Sequence, residues 1–130
     1  MSENSIHWLV DKHVMINKIY AWDVESFASH IIAVNEMVNT SHLPLVHTLW
    51  DLQDLEQYPK NLNEIRKVVS PLFTNERLGW VISVMQNPII GFLSQAGTSM
   101  YRLRYRTFKR MDEAITFLRE VDATIPPIDT

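Results

Sequence analysis

Three carboxylates crowd the six-residue stretch Asp51-Leu52-Gln53-Asp54-Leu55-Glu56, directly behind the apolar run Leu45-Val46-His47-Thr48-Leu49-Trp50. A run this apolar reads as a central strand buried on both faces. In an α/β sheet, ligands and partners gather at the carboxyl ends of the strands. Asp51, Gln53, Asp54, Glu56 and Tyr58 are therefore the first candidates for a partner-binding loop. The same carboxylates suit a weak divalent-cation site, since hard cations want several oxygens, but no further ligands stand out. The plainer alternative is a solvated loop with locally capping aspartates.

A second candidate is the segment Tyr101-Arg102-Leu103-Arg104-Tyr105-Arg106. On a strand, Arg102, Arg104 and Arg106 share one face. With Lys109 and Arg110 they gather five of the 12 positive charges into nine residues of an acidic chain. Such a strip can bind phosphate groups, an acidic partner or lipid headgroups. It equally describes an edge strand whose charges block pairing between sheets. A third candidate is the stripe of Ile89, Ile90, Phe92 and Leu93, joined by Ala96. It is wider than a simple surface helix needs. It reads as a packed core helix, a homodimer face or one wall of an apolar ligand pocket.

The five histidines, His7, His13, His30, His42 and His47, match no zinc-protease or zinc-finger spacing. His42 and His47 lie either side of a strand start, where their side chains need not converge, and each histidine reads as a structural group. Gly-x-Ser-x-Gly is absent. With only three glycines the chain has no phosphate-cradling loop of Walker or Rossmann type. No cofactor, metal or catalytic set is expected. An enzyme would have to use Asp51 as an acid–base group.

The elements that position these residues follow from pattern. The 130 residues suit one domain, and 46% of them are hydrophobic, enough to build a core. A net charge of −3 argues against bulk nucleic-acid binding. The absence of cysteine excludes disulfides, cysteine-based zinc sites and thiol catalysis. The polar start Met1-Ser2-Glu3-Asn4-Ser5 leads into no signal-like stretch, and the apolar region 78–93 is broken and too short to span a bilayer. A cytoplasmic, bacterial-type protein is the expectation.

Ser5 to Val10 and Val14 to Tyr20 read as an opening antiparallel pair, joined through Asp11-Lys12-His13. Asp23 caps a helix whose stripe is Val24, Phe27, Ala28, Ile31, Val34 and Val38, with Trp22 and Phe27 as a hydrophobic staple. After the Leu45–Trp50 strand, Asn61 and Glu64 form a capping-box pattern. The helix they open buries Leu62, Ile65, Val68 and Val69, and Pro71 stops it. Leu78 to Met85 is the next strand. Asn87 caps a third helix with Pro88 at its first position and Gly97 near its end. Tyr101 to Phe108 alternates as a fifth strand. Asp112 and Glu113 then favour the start of a last helix with the stripe Met111, Ala114, Ile115, Leu118 and Val121. The chain from Pro126 reads as a frayed tail. The order β-β-α-β-α-β-α-β-α implies an α/β domain: a mixed, mostly parallel sheet of about five strands flanked by four helices.

That order resembles the STAS domain, the fold of bacterial anti-sigma-factor antagonists and sulfate-transporter tails. It resembles in particular the stand-alone STAS-like (SpoIIAA-like) bacterial proteins of unknown function. The resemblance rests on Val46 to Asp51 as a strand ending in aspartate, on Pro59 to Leu62 opening the second helix, and on the closing Glu113-Ala114-Ile115-Thr116-Phe117-Leu118. It spans about residues 5–122. It implies a non-catalytic regulatory or protein-interaction domain that docks a protein partner or a second copy of itself, with a small apolar or lipid-like anionic ligand as the alternative. Antagonists of this type carry a phosphorylatable serine in the turn after the third strand. Here that turn reads Asp51-Leu52-Gln53-Asp54-Leu55, with no serine or threonine. The resemblance therefore implies binding without a kinase switch.

Overall fold

The computed structural model describes residues 4–56, 61–87, 101 and 103–128. The chain runs β1 (Ser5–Val10), β2 (Val14–Lys18), α1 (Val24–Thr40), β3 (Val46–Asp51), α2 (Leu62–Phe73), β4 (Leu78–Val84), β5 (Arg104–Phe108) and α3 (Met111–Val121). The strands form one sheet in the order β1-β2-β3-β4-β5. β1 is antiparallel to β2, and every later pair is parallel. This is the mixed sheet expected. Three of the four expected helices lie among the described residues. The one expected from Pro88 to about Gly97 lies outside them, as do the side chains at 24 and 62.

From β2 onward, each step moves one place across the sheet in the same direction. Right-handed crossovers then carry α1 and α2 over the same face. There Phe27, Ile31, Val34 and Val38 of α1 and Val69 and Leu72 of α2 pack with Met15, Val46, Trp50, Leu78 and Val81. The opposite face, with Val14, Leu49, Ile82 and Val84, is covered by Ala114, Ile115 and Leu118 of α3. β3 and β4 thus carry apolar side chains on both faces, which explains why their runs are largely apolar. Each buried Val, Leu or Ile contributes about 1.5–3 kcal/mol relative to exposure.

The start of α1 is built as expected. Asp23 accepts from the Ser26 amide at 2.7 Å, and Ser26 Oγ accepts from the Asp23 amide at 3.2 Å. The Trp22 and Phe27 rings lie 4.5 Å apart as the staple. At α2, Asn61 Oδ1 accepts from the amides of Asn63 and Glu64. Only this half of the expected box is present among the described residues.

Five boundaries differ from expectation. Pro71 does not end α2, which continues to Phe73. Both Pro71 and Lys67 are exposed, so the Lys67 carbonyl that lacks its N–H partner faces water. β2 ends at Lys18, and β5 begins at Arg104 rather than at Tyr101, whose hydroxyl donates instead to the Arg66 carbonyl at 3.2 Å. Val121 is 42% exposed, so the buried stripe of α3 stops at Leu118. Beyond the helix, Ile125 is buried and Ile128 packs against the same cluster, so the expected fraying does not start at Pro126.

Replacing Asp23 with Ala removes the N-cap and should lower stability by about 1 kcal/mol. Urea unfolding followed by far-ultraviolet circular dichroism would measure it, and an unchanged midpoint would deny the cap its role.

Candidate functional site

At the carboxyl end of the central strands, Lys18 and Asp51 are register neighbours across β2 and β3. Lys18 Nζ donates to Asp51 Oδ2 at 3.0 Å and to Asp54 Oδ2 at 2.7 Å. Burial of Lys18 works against its charge, but Asp54 and Asp51 outweigh it and raise the ammonium pKa above its ordinary value. Asp51 Oδ1 accepts from both the backbone and side-chain amides of Gln53. The loop is tied down further by the Leu52 amide on the Val84 carbonyl and the Glu56 amide on the Tyr20 carbonyl. Gln53, Asp54 and Glu56 are exposed. Sequence reasoning grouped these residues but did not include Lys18, the cation that binds the two aspartates. Tyr58 lies outside the described residues.

β5 is an edge strand of the described sheet, and Arg104 and Arg106 are both exposed there. The Arg106 guanidinium lies over the Phe117 ring, 4.8 Å from its centroid, and over Phe108 at 5.4 Å. It lines an open groove of about 350 Å³ together with Asp112, Glu113 and Glu120. Arg110 is paired with Asp112 at 2.8 Å. Arg102, Ile89, Ile90, Phe92 and Leu93 lie outside the described residues.

At the amino end of the sheet the structure assembles a cluster that sequence reasoning missed. His13 precedes β2, His47 is the second residue of β3, and Asp122 is the C-cap of α3. His13 Nε2–H and His47 Nε2–H donate to Asp122 Oδ2 at 2.9 and 2.8 Å. Asp122 Oδ1 accepts from the amide and hydroxyl of Thr124. His47 is 2% exposed and His13 8%. His13 is turned inward by the tight β1–β2 turn. There Lys12 adopts the left-handed region at φ 59°, and its carbonyl accepts from Ser41 Oγ at 2.6 Å.

The sheet is shaped around His47. Val46 pairs with Leu78 but Thr48 pairs with Val81, so β4 carries one extra residue opposite His47. This bulge frees the Trp80 amide, which donates to His47 Nδ1 at 2.9 Å. Because Nδ1 is an acceptor, the ring hydrogen sits on Nε2 and points at Asp122. Gly79 gives the ring its room: a Cβ there would lie 2.5 Å from Nδ1. A glycine inside an apolar strand signals a bulge or a close approach, and it was the one visible clue to this cluster. Burial pushes the His47 pKa down, and His13 and Arg104 add to the effect while Asp122 opposes it. Burial would raise the Asp122 pKa. The hydrogen bonds from Thr124, His47 and His13 outweigh it and hold the carboxyl well below its usual range.

A half-buried histidine lies on the other face. Asn17 Nδ2 donates to the Leu49 carbonyl, so Asn17 Oδ1 accepts from His30 Nε2–H at 2.8 Å. His30 packs beside Trp22 and Trp50. Burial lowers its pKa from 6.5 to about 4.

The architecture is that of a SpoIIAA-like domain. The chain is similar to the solved structure of an uncharacterized DUF3478-family protein with a SpoIIAA-like fold from Shewanella loihica PV-4. The TM-score is 0.62, with 89% of this chain and 92% of that chain covered at 12% identity. At that identity the likeness shows the fold alone. No family model and no curated protein matches the chain. Among the described residues, no helix is long and apolar enough to cross a membrane.

Two measurements probe these environments. Gly79→Ala should destabilise the protein by about 2–4 kcal/mol through displacement of His47 and loss of the Trp80 bond. In a His47→Ala background the same change should cost at least about 1 kcal/mol less, a coupling read from a double-mutant cycle; strict additivity would separate the two residues. His30 is neutral when folded at pH values where the unfolded imidazole is already charged. Below its unfolded pKa of 6.5 the unfolded state therefore binds the extra proton, and stability falls as pH drops towards 4. The loss approaches about 3 kcal/mol, reduced by partial exposure. Urea titrations between pH 7.5 and 4.5 should show a shallower decline for His30→Gln than for the parent. Parallel curves would rule out His30 as a source.

Proposed function

We propose that this chain is a non-catalytic interaction domain that docks a protein partner through the loop 51–56. The observation that carries the reading is the Lys18 ammonium bridging Asp51 and Asp54. It sets a polar loop in one shape at the carboxyl ends of parallel strands, where binding surfaces of such sheets concentrate. A loop already fixed loses less conformational freedom on docking than a free one. The exposed Gln53, Asp54 and Glu56 supply a polar rim, and Leu55, half-buried beside them, supplies apolar surface.

Resemblance to STAS domains supports a regulatory role of the antagonist kind. The missing serine in this turn makes binding independent of phosphorylation. Asp51 fits acid–base work poorly, since both its oxygens are occupied by Lys18 and Gln53.

An anionic ligand held by Arg102, Arg104 and Arg106 is the weaker reading. Arg106 is stacked on two phenylalanines and shares its groove with three carboxylates, which repel anions.

A photo-crosslinking amino acid at position 53 should yield a discrete heavier product in cells that make this protein. The same probe at His42, on the opposite end of β3, should not. Lys18→Glu should abolish the position-53 product while leaving the fold intact by circular dichroism. Equal labelling from both positions, or none from 53, would remove the loop as the docking surface.

A further inference from the structure

β1 lies at one edge of the described sheet and β5 at the other, and the two edges are guarded differently. An edge strand offers a row of backbone N–H and C=O groups to any strand that comes alongside. Proteins blunt such edges with charge, proline or a bulge. β5 follows that rule, with Arg104 and Arg106 exposed along it. β1 does not. Its sequence Ser-Ile-His-Trp-Leu-Val holds no proline and no Asp, Glu, Lys or Arg. Its irregularity, a register shift between Trp8 and Val10, sits at the turn end and leaves Ser5 to Trp8 regular. We infer that β1 is a self-association edge, at which two copies of this chain pair β1 against β1 in antiparallel register.

The strand is held ready for pairing. At its start, Asn4 Oδ1 accepts from the amides of Tyr20 and Ala21 at 2.8 and 3.3 Å, and Asn4 Nδ2 donates to the Ala21 carbonyl at 2.8 Å. At its end, the His13 amide closes the turn on the Val10 carbonyl at 2.9 Å. Between them, the ladder to β2 sets Ser5 opposite Lys18 and Trp8 opposite Met15. An edge fixed in this way gives up little conformational freedom when a second strand arrives.

The side chains decide which strand fits. Ser5 and His7 are exposed, and Ile6 and Trp8 alternate with them, half-buried at the margin of the core under α1 and α2. Antiparallel pairing about a two-fold axis normal to the sheet keeps each face where it was. Exposed positions then meet exposed ones, and apolar positions meet apolar ones. With the axis at His7, Ile6 of each copy faces Trp8 of the other, a β-branched and aromatic pair of the kind that stabilises adjacent strands. With the axis at Ile6, Trp8 would face Asn4 and that pair would be lost. A foreign strand has to reproduce this alternation, whereas a second copy brings it by symmetry. Charge favours the same occupant. The chain carries a net charge of −3, and two like-charged molecules meet with least repulsion where neither presents a charge. Lys12 reaches this strip from the turn, and its Nζ lies 5.5 Å from the centroid of the Trp8 ring, which holds the indole by cation–π attraction. The pairing runs along the sheet edge and makes no use of the 51–56 loop, so it stands whether or not that loop docks a partner.

Sedimentation velocity of the untagged full-length protein from about 1 to 200 μM should show a monomer–dimer equilibrium with a micromolar dissociation constant, as suits a short edge pairing. His7→Glu sets two carboxylates opposite one another at an exposed position. It should weaken the dimer by about fivefold or more while leaving the far-ultraviolet circular dichroism unchanged. Because the chain has no cysteine, His7→Cys places one thiol per copy at the axis. Copper-phenanthroline oxidation should then give a disulfide-linked dimer on a non-reducing gel, and Thr107→Cys, exposed on β5, should not. A monomer throughout the concentration range would overturn the inference. So would a dimer that His7→Glu leaves intact while His7→Cys and Thr107→Cys cross-link alike, since its interface would lie elsewhere.

Discussion

The arrangement rests on one buried imidazole that must be bonded at both nitrogens inside a parallel sheet. β3 and β4 cannot run in unbroken register past His47, because its ring occupies the space that a side chain at position 79 would fill. The sheet yields by one residue, and glycine stands where it does. The consequences travel outward. Beyond the bulge, Trp80 pairs with Arg104 and so sets the register of β5. The Trp80 ring meets Phe117 of α3 edge-on at 4.8 Å between centroids. Phe117 in turn carries the Arg106 guanidinium. A single ring thus fixes the edge strand and the last helix relative to the sheet.

The two ends of the sheet handle charge in opposite ways. At the carboxyl end, Lys18 meets two carboxylates, one of them largely in water, so the interaction is ionic, adjustable and screened by salt. At the amino end, Asp122 is satisfied by donors that carry no net charge when both imidazoles are neutral. The first arrangement suits a surface that meets other molecules. The second keeps a carboxylate ionised through hydrogen bonds rather than an opposite charge.

The fold was readable because its signals are local. The runs at Val46–Trp50 and Leu78–Val84 are apolar since both faces are covered, and Asp23 announces its helix through the next three residues. Pro71 was misjudged because its effect depends on whether one carbonyl faces water, which is a property of packing. The Asp51 loop was legible through its crowd of carboxylates, but the cation that organises it lies 33 residues earlier, on a neighbouring strand. The histidine cluster was illegible for the same reason at greater range: Asp122 is 109 residues from His13 and 75 from His47. No spacing rule joins them. His42, the histidine nearest to His47 in sequence, is exposed while His47 is buried.

The strictly sequential strand order also dictates how the molecule comes together. Every strand pairs with its neighbour in the chain, so the sheet can grow one strand at a time, and α1 and α2 cover their face as it grows. Among the described residues, the other face has no such escort. Val14, Leu49, Ile82 and Val84 wait for α3, the last of the described helices in chain order. Until residues 111–121 arrive, a nascent chain presents this apolar face to the cell. The docking of α3 therefore governs whether the product stays monodisperse or becomes a client of chaperones.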